Sequence, residues 1–364
     1  MKFNVIARGT VSRPNGKFSY NAWPSVICRS DGVMICSWSG NRLRHVCPHG
    51  KVVAARSFDG GLTWDEPSVI FDSPLDDRDA GLVETGDGKI FLTTFTNTRA
   101  FQLSDLKHRG LTPEEIAFDE ATIMQATDED EERYLGSLML TSTDGKSFGE
   151  PRKTGVTAPH GICKKQNGEL VYIGRAYPRD GEEEGDGLAD GIWARDVSPD
   201  GGLGAPRLLV PQLPKDSGAF YCEPYAVDLG DGEMLLGIRT DRPNHKNLFT
   251  SQCRSSDGGK TFSSPTETVI DGGPPHYLLH SSGALVVVYA RRREPYQNCA
   301  RVSFDGGRTY SEEFIFDPAA PGWDIGYPCT AENERGELVT VYYKRDAAED
   351  RFCQIKYVVW TFEK

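Results

Sequence analysis

The sequence lacks the features of a nucleic-acid-binding, membrane-spanning or secreted chain. Its 41 lysines and arginines are outnumbered by 53 aspartates and glutamates, which gives a net charge of -12. Because binding phosphates requires a basic face, this balance argues against nucleic acid and anionic membranes as partners. No apolar run approaches the roughly 18 residues of a membrane span, and residues 1–8 lack the apolar core of a secretory signal.

The nine cysteines also lack the pattern of a zinc site. They are odd in number, scattered, and contain no Cys-x-x-Cys pair, which is the spacing typical of zinc ligands. Several lie in or beside apolar strands, as Cys36 does, where reduced buried thiols are usual. We therefore expect no metal, no cofactor and a soluble cytoplasmic protein.

The sequence does contain a repeat, in which a tight turn precedes a strong strand of four to seven apolar or β-branched residues. Several turns carry Asp-Gly or Asn-Gly, which β-hairpins favour because positive φ is needed there. Six copies share a glycine, at positions 32, 88, 168, 232, 283 and 336. Repeats of fixed layout and this length indicate a solenoid, a propeller or an array.

A second motif, Ser-x-Asp-Gly-Gly-x-Thr-aromatic, follows several of these units. It occupies residues 57–64, 255–262 and 303–310, with a shorter copy at 142–148. The aspartate can bond its own turn, the glycines can adopt positive φ and the aromatic ring can pack beneath. We therefore expect Asp59, Asp257 and Asp305 to hold turns rather than to perform chemistry.

This second motif is the Asp-box, and its repetition resembles the sialidase superfamily of six-bladed β-propellers. The resemblance covers essentially the whole chain. It implies an all-β fold with six blades of four antiparallel strands each, in a single domain over residues 1–364. Asp-boxes are specific for this architecture but not for sialidase activity.

Two stretches interrupt the blades. A helical insertion is predicted at about residues 101–134, with Thr112 as N-cap, Pro113 at the first helical position and Glu115 completing the cap. The helix is expected to run to about Ala126 and to end at the acidic run 128–132. Residues 179–191 are expected to form an exposed flexible loop. Both stretches are placed on the rim, and a substrate lid is an alternative role.

The six repeats also predict a site. The residues nine positions before the shared glycines are Trp23, Asp79, Pro159, Glu223, Pro274 and Tyr327. Equivalent positions on the innermost strands of a propeller approach the central axis at one face. We therefore expect the polar residues of this set to converge, with Arg78, His160 and His276 nearby. Two alternatives remain: a salt-bridge network that plugs the channel, and histidine rings that bond backbone between blades.

The resemblance suggests roles for these residues. In sialidases a tyrosine attacks the anomeric carbon and a glutamate acts as its base, and Tyr327 and Glu223 resemble that pair. A neutral phenol suits this task, because the carboxylate of the substrate would repel a carboxylate nucleophile. Arg239 resembles the second sialidase arginine and could bind a carboxylate through its fork of donors. Its alternative role is a rim ion pair.

The sequence departs from the sialidase pattern in two places. In the arginine triad, Ala22 stands where sialidases have their first arginine, and the third arginine has no clean match, so that Arg292 is only one candidate from the run 291–293. The loop 42–50, which matches the one that carries the acid/base aspartate, contains no aspartate but contains His45 and His49. Histidine can transfer protons near neutral pH. Asp79 or His45 is therefore the expected proton donor.

The leading hypothesis is an exo-acting glycoside hydrolase for a terminal acidic sugar: sialic acid, or another ulosonic or uronic acid. Its predicted catalytic residues are Tyr327, Glu223, Asp79 and His45. Its predicted substrate-binding residues are Arg239, Arg78, Arg44, His49, His160, His276, Arg292 and Trp23. The alternatives are a non-catalytic carbohydrate-binding propeller and a polysaccharide lyase that uses Tyr327 and a histidine. All three imply a carbohydrate partner.

Overall fold

Six four-stranded antiparallel sheets are arranged as the blades of a propeller in the computed structural model. The structure describes residues 1–176, 184–185, 187–242 and 247–364. The all-β, six-bladed architecture that the resemblance implied is confirmed. Most of the loop predicted at 179–191 lies outside the described residues. Its described part includes a short hairpin of Glu184–Gly185 and Leu188–Ala189.

The strands follow one another from the innermost to the outermost position of each blade. Strand β1 (Lys2–Thr10) belongs to the last blade. Blade 1 contains β2 (Tyr20–Cys28), β3 (Met34–Arg42), β4 (Lys51–Ser57) and β5 (Ser68–Phe71). Blade 2 contains β6 (Arg78–Glu84), β7 (Ile90–Thr96), β8 (Gly136–Ser142) and β9 (Arg152–Lys153). Blade 3 contains β10 (Cys163–Lys164), β11 (Leu170–Ala176), β14 (Gly191–Val197) and β15 (Arg207–Pro211), and the hairpin above supplies β12 and β13.

The second half of the chain repeats the arrangement. Blade 4 contains β16 (Phe220–Gly230), β17 (Glu233–Arg242), β18 (Asn247–Ser255) and β19 (Thr266–Glu267). Blade 5 contains β20 (His276–Leu279), β21 (Leu285–Arg291), β22 (Gln297–Ser303) and β23 (Phe314–Ile315). Blade 6 contains β24 (Gly326–Glu332), β25 (Leu338–Lys344), β26 (Gln354–Glu363) and β1. Short 3-10 turns occupy Gly16–Phe18 and Lys215–Ser217.

Blade 6 closes the ring, because it combines the two ends of the described chain. Strand β1 pairs antiparallel with β26, from Lys2 opposite Glu363 to Thr10 opposite Lys356. Backbone hydrogen bonds therefore join the first strand to the last, and the sheet has no loose seam. Radial closure of this kind leaves only short strand edges exposed.

The strong strands predicted from the apolar runs are the second strands of the blades, and they form the cores between neighbouring sheets. In β21, every residue from Leu285 to Ala290 is fully buried. A continuous apolar run suits a strand that is covered on both faces, whereas alternation would suit one with a wet face. All nine cysteines are free thiols, and eight of them are buried.

The Asp-box motifs form compact turns between the third and fourth strands. In blade 1, Asp59 Oδ1 accepts hydrogen bonds from the backbone of Leu62 at 3.1 Å and of Thr63 at 2.9 Å. Asp257 and Asp305 make the equivalent bonds in blades 4 and 5. These contacts hold the turns, as the motif predicts.

Three helices lie between β7 and β8: α1 (Arg99–Leu106), α2 (Pro113–Ile123) and α3 (Asp128–Tyr134). The predicted capping box of Thr112 and Glu115 opens α2. The prediction of one helix that reaches Ala126 and ends at the acidic run was wrong. That run instead opens α3 behind the N-cap Thr127, where acidic side chains interact favourably with the helix dipole. No helix in the described part of the chain is long and apolar enough to cross a membrane.

Candidate functional site

The innermost strands are distorted at the positions that the repeat aligns. Trp23, Asp79, Glu223 and Tyr327 have φ of 54°, 54°, 48° and 49°, and the two remaining aligned positions are prolines. A shift in strand register lies at or beside each of the four. Left-handed backbone costs a non-glycine residue roughly 1–2 kcal/mol, and bulges re-aim side chains. The fold therefore uses strain to present these four side chains.

Tyr327 and Glu223 meet across the axis from blades 6 and 4. The Tyr327 hydroxyl donates a hydrogen bond to Glu223 Oε1. Burial and the negative charge of Glu223 raise the pKa of Tyr327 well above its usual value. Burial alone would raise the pKa of Glu223, but the charge of Arg239 and the bond from Tyr327 lower it overall. A neutral phenol thus faces an ionised carboxylate, as a nucleophile faces its base.

Two guanidinium groups stand beside this pair. Arg239 donates from Nη1 to Glu223 Oε2 at 2.6 Å. It also donates to both carboxylate oxygens of Asp241, from Nε at 2.7 Å and from Nη2 at 2.6 Å. Arg292 lies with its Cζ 5.4 Å from the centre of the Tyr327 ring. It donates to the Ile325 carbonyl at 2.9 Å and to the Tyr343 hydroxyl at 2.8 Å. Among the described residues, Arg292 forms no ion pair.

Asp79 has the electrostatic character of an acid. Its pKa is raised to about 7, first by burial and then by the negative charge of Glu223, against the opposing charge of Arg78. Its own charge in turn raises the pKa of Tyr327. The carboxyl of Asp79 has no hydrogen-bond partner among the residues that the structure describes.

Trp23 connects the blade 1 side of the site to its centre. The ring is almost fully buried, and its edge contacts include His45 at 5.0 Å and Tyr327 at 6.4 Å between ring centroids. The guanidinium of Arg78 covers its face at 4.1 Å. Behind Trp23, Arg42 and Asp76 form a fully buried ion pair at 2.6 Å. The guanidinium of Arg78 therefore stacks on the Trp23 ring and does not extend into the opening.

His45 packs against an aspartate that the sequence did not mark. Its Nδ1 lies 3.2 Å from Asp324 Oδ1, and Asp324 also accepts from the hydroxyls of Tyr20 at 2.8 Å and Tyr343 at 3.1 Å. Burial lowers the pKa of His45 to about 4, although the bond to Asp324 opposes the shift. His45 is therefore neutral near pH 7, which makes it a poor proton donor.

The other two axial histidines lie behind the tyrosine. His160 is buried, with its ring 6.3 Å from that of Tyr327 and 5.1 Å from that of His276. Burial lowers the pKa of His160 to about 3 and that of His276 well below its usual value. The Thr330 amide donates to His276 Nδ1 at 3.4 Å, which is the inter-blade backbone bond considered as an alternative. Neither nitrogen of His160 has a partner among the described residues.

Arg44 and His49 are engaged elsewhere. Arg44 donates to the fully buried Asp119 of α2, and His49 Nε2 lies 3.2 Å from the other oxygen of the same carboxylate. Burial lowers the pKa of His49 to about 4, so this ring is neutral too. The structure therefore places both residues as anchors of the helical insertion and not beside Tyr327.

Sequence reasoning missed Asp324, Asp241 and Trp323. Asp324 comes three residues before Tyr327, and Asp241 comes two after Arg239. The alternation of a strand puts residues i and i+2 on one face, so Asp241 could have been found that way. Trp323 is 52% exposed, with its ring 5.8 Å from His45 and 5.7 Å from Arg292 Cζ.

No cluster of three metal-binding side chains occurs in the described residues.

Several solved structures have a fold similar to that of this chain. A protein of unknown function from Dyadobacter fermentans DSM 18053 superimposes with a TM-score of 0.76 at 20% identity over 99% of both chains. The NanB sialidase of Streptococcus pneumoniae gives 0.63 at 14% identity, over 96% of this chain and 69% of that one. The intramolecular trans-sialidase of Ruminococcus gnavus gives 0.63 at 15% identity over 94% of both. No protein-family profile and no curated protein matches the sequence. The chain therefore has the sialidase-like six-bladed propeller fold.

Proposed function

We propose that the protein is an exo-acting glycoside hydrolase that removes a terminal acidic sugar through a covalent bond to Tyr327. The observation that carries this proposal is the hydrogen bond from the Tyr327 hydroxyl to the ionised Glu223. The Tyr327 oxygen accepts no hydrogen bond from a described residue, so a lone pair is available for attack. The similarity to the sialidase fold supports the same class of reaction.

The acidic class of substrate rests on Arg292. Arg292 is half-buried, and the described partners of its guanidinium are a carbonyl and a tyrosine hydroxyl, both neutral acceptors. An unpaired buried cation is costly, and a carboxylate held by charge-assisted hydrogen bonds would relieve that cost. The positive charge of Arg239 acts to lower the pKa of Arg292, and the negative charge of a ligand would offset this repulsion. In a ulosonic acid, a carboxylate between them would adjoin the anomeric carbon that Tyr327 attacks, whereas in a uronic acid the carboxylate is bonded to a different ring carbon.

Three side chains can carry out all the proton transfers that the reaction requires. Tyr327 Oη forms a bond to the anomeric carbon and its proton passes to Glu223, while Asp79 gives its proton to the departing glycosidic oxygen. In the second half, Asp79 removes a proton from water as the water attacks the anomeric carbon. Tyr327 leaves and recovers its proton from Glu223. Two inversions at one carbon give net retention of configuration.

The test is a panel of fluorogenic glycosides that covers α-sialosides, other ulosonic acids, uronic acids and neutral sugars. We expect turnover of one acidic class and none of the neutral sugars. Proton NMR of the first product should show the anomeric configuration of the substrate. Inversion, or comparable turnover of neutral and acidic glycosides, would overturn the proposal.

The two other functions give different outcomes in the same panel. A carbohydrate-binding propeller would bind acidic glycans without releasing a fluorophore. A lyase would act on acidic polysaccharides and form an unsaturated product, which absorbs ultraviolet light. The variant Lys344→Met is the control for loss of a buried cation away from the site, because Lys344 is a buried cation in blade 6 that pairs with Asp317 at 3.1 Å. It should act on the same glycosides as the parent protein.

A further inference from the structure

The hydrogen bonds around Asp324 connect both sides of the opening. Arg292 donates to the Tyr343 hydroxyl, which donates to Asp324 Oδ1, and on the blade 1 side Tyr20 donates to Oδ2 at 2.8 Å. His45 approaches Oδ1 with Nδ1 at 3.2 Å. The carboxylate carries a lowered pKa despite its burial, because His45, Arg292 and Tyr20 stabilise its charge.

The main chain of His45 is held as firmly as its side chain. Its carbonyl accepts from Arg42 Nη2 and from Arg78 Nη1, both at 2.8 Å. The ring lies edge-on to Trp23 at 5.0 Å and beside Trp323 at 5.8 Å. The imidazole is therefore fixed in position before any ligand arrives.

This arrangement selects one tautomer. Nδ1 faces an ionised carboxylate and a hydroxyl that donates its own proton to that carboxylate, so Nδ1 carries the imidazole proton. The other nitrogen, Nε2, is then an acceptor. It has no partner among the described residues, and the side chain of His45 is 21% exposed.

Resting on the proposed function, we propose that Asp324 is a positioning residue that holds His45 Nε2 as an acceptor for a hydroxyl or amide N–H of the bound sugar. The opening is then divided in two. Arg239 and Arg292 offer only donors and bind the carboxylate, whereas His45 offers an acceptor and selects a donor group of the sugar. The required ligand is therefore a sugar acid that places such a donor opposite His45 Nε2.

The first test does not depend on catalysis. Long-range proton–nitrogen NMR of the ¹⁵N-labelled protein, with His45 assigned through His45→Gln, reports its tautomer. We expect the Nδ1–H form in the parent and a mixture of forms in Asp324→Asn. The matched control is Asp317→Asn, since Asp317 accepts from Tyr342 at 3.0 Å and should leave the His45 signals unchanged. An Nε2–H form in the parent, or an unchanged tautomer in a folded Asp324→Asn, would overturn the proposal.

The second test identifies the donor group. Binding of the free sugar acid that the panel identifies, and of its single-deoxy and des-acylamino analogues, is measured by calorimetry in the parent and in His45→Ala. A lost hydrogen bond should weaken binding by about tenfold, for every ligand except the one that lacks the donor. Equal weakening for all ligands, or none, would refute the acceptor role. If the panel finds no turnover, the proposed function fails, while the tautomer still decides whether Asp324 fixes His45.

Discussion

Tyrosine, glutamate and arginine side chains meet both in blade 5 and at the axis of this propeller, and of these two groups the axial one has the character of a reactive site. In blade 5, Tyr289 donates to Glu313 at 2.6 Å, and Arg291 donates to the same carboxylate at 2.8 Å. These residues come from one blade, and Tyr289 is fully buried. We call this group the blade 5 cluster, and the group of Tyr327, Glu223 and Arg239 the axial cluster.

The two clusters differ at the phenol oxygen. In the blade 5 cluster, Arg301 donates to Tyr289 Oη at 2.9 Å, so a lone pair of that oxygen is already used. The Tyr327 oxygen accepts from no described donor. Tyr327 and Glu223 also come from two different blades and have left-handed backbone, whereas Tyr289 and Glu313 come from one blade and do not. Residue composition alone thus does not mark a site; an open lone pair and a strained backbone at the axis do.

The largest expected effect is that of removing each hydroxyl. Tyr327→Phe should lower kcat by at least about a thousandfold, because the attacking atom is lost. Tyr289→Phe should leave kcat within about twofold and lower the free energy of unfolding by about 1–3 kcal/mol, since a buried hydrogen bond is lost. Steady-state kinetics and thermal melts measure both. Equal activity of the two variants would remove the distinction between the clusters.

Removing each carboxylate sharpens the same contrast. Glu223→Gln should lower kcat by roughly a hundredfold to a thousandfold, as expected for loss of a general base. Glu313→Gln should change only stability. The comparison is made at one pH with both variants shown to be folded. A fully active Glu223→Gln would mean that the phenol proton goes elsewhere.

Arg291 and Arg292 are adjacent in the sequence but belong to different surroundings. Arg291 pairs with Glu313 of the blade 5 cluster, and Arg292 lies beside Tyr327 of the axial cluster. Arg292→Ala should raise KM for the acidic substrate by about tenfold to a hundredfold, because a charge-assisted bond to its carboxylate is worth about 1.5–3 kcal/mol. Arg291→Ala should leave KM unchanged, since Arg291 binds Glu313. Should the two variants raise KM equally, Arg292 is not a substrate ligand.

The smallest predicted effect is on the pH profile. Asp79 must be protonated to serve as the acid, and its pKa is raised to about 7. The rate constant kcat/KM should therefore be highest below about pH 7 and fall about tenfold for each unit above it. Asp79→Asn should lower the rate and abolish this alkaline limb, while Glu313→Gln should retain it. If the alkaline limb persists in Asp79→Asn, the titrating group that causes it is not Asp79.

The fold could be predicted because its signal is local and repeated. Each turn glycine and apolar strand carries its own evidence, and six copies reinforce one another. The same alignment predicted that Glu223 and Tyr327 converge, since the symmetry of the propeller turns a sequence register into a spatial one. The helical insertion was predicted less well, because the acidic run favours both a helix start and an exposed loop.

The finer features of the site depend on contacts that no repeat encodes. Asp324 precedes strand β24 and meets residues of blade 1 only after the ring closes. Arg44 and His49 lie in the loop where an acid was sought, but Asp119 of the insertion engages both. Such pairings join segments far apart in the chain, and each occurs once, so neither spacing nor periodicity reveals them.

Trapping of the covalent intermediate tests the central claim most directly. A derivative of the accepted sugar acid that carries fluorine as the anomeric leaving group and a second fluorine on the adjacent ring carbon slows hydrolysis of the glycosyl-enzyme. Peptide mass spectrometry then locates the bound sugar. We predict one sugar on the peptide that contains Tyr327 in the parent and in Tyr289→Phe, and no sugar in Tyr327→Phe. A sugar on another residue, or no adduct in a parent enzyme that hydrolyses the unmodified glycoside, would contradict the account.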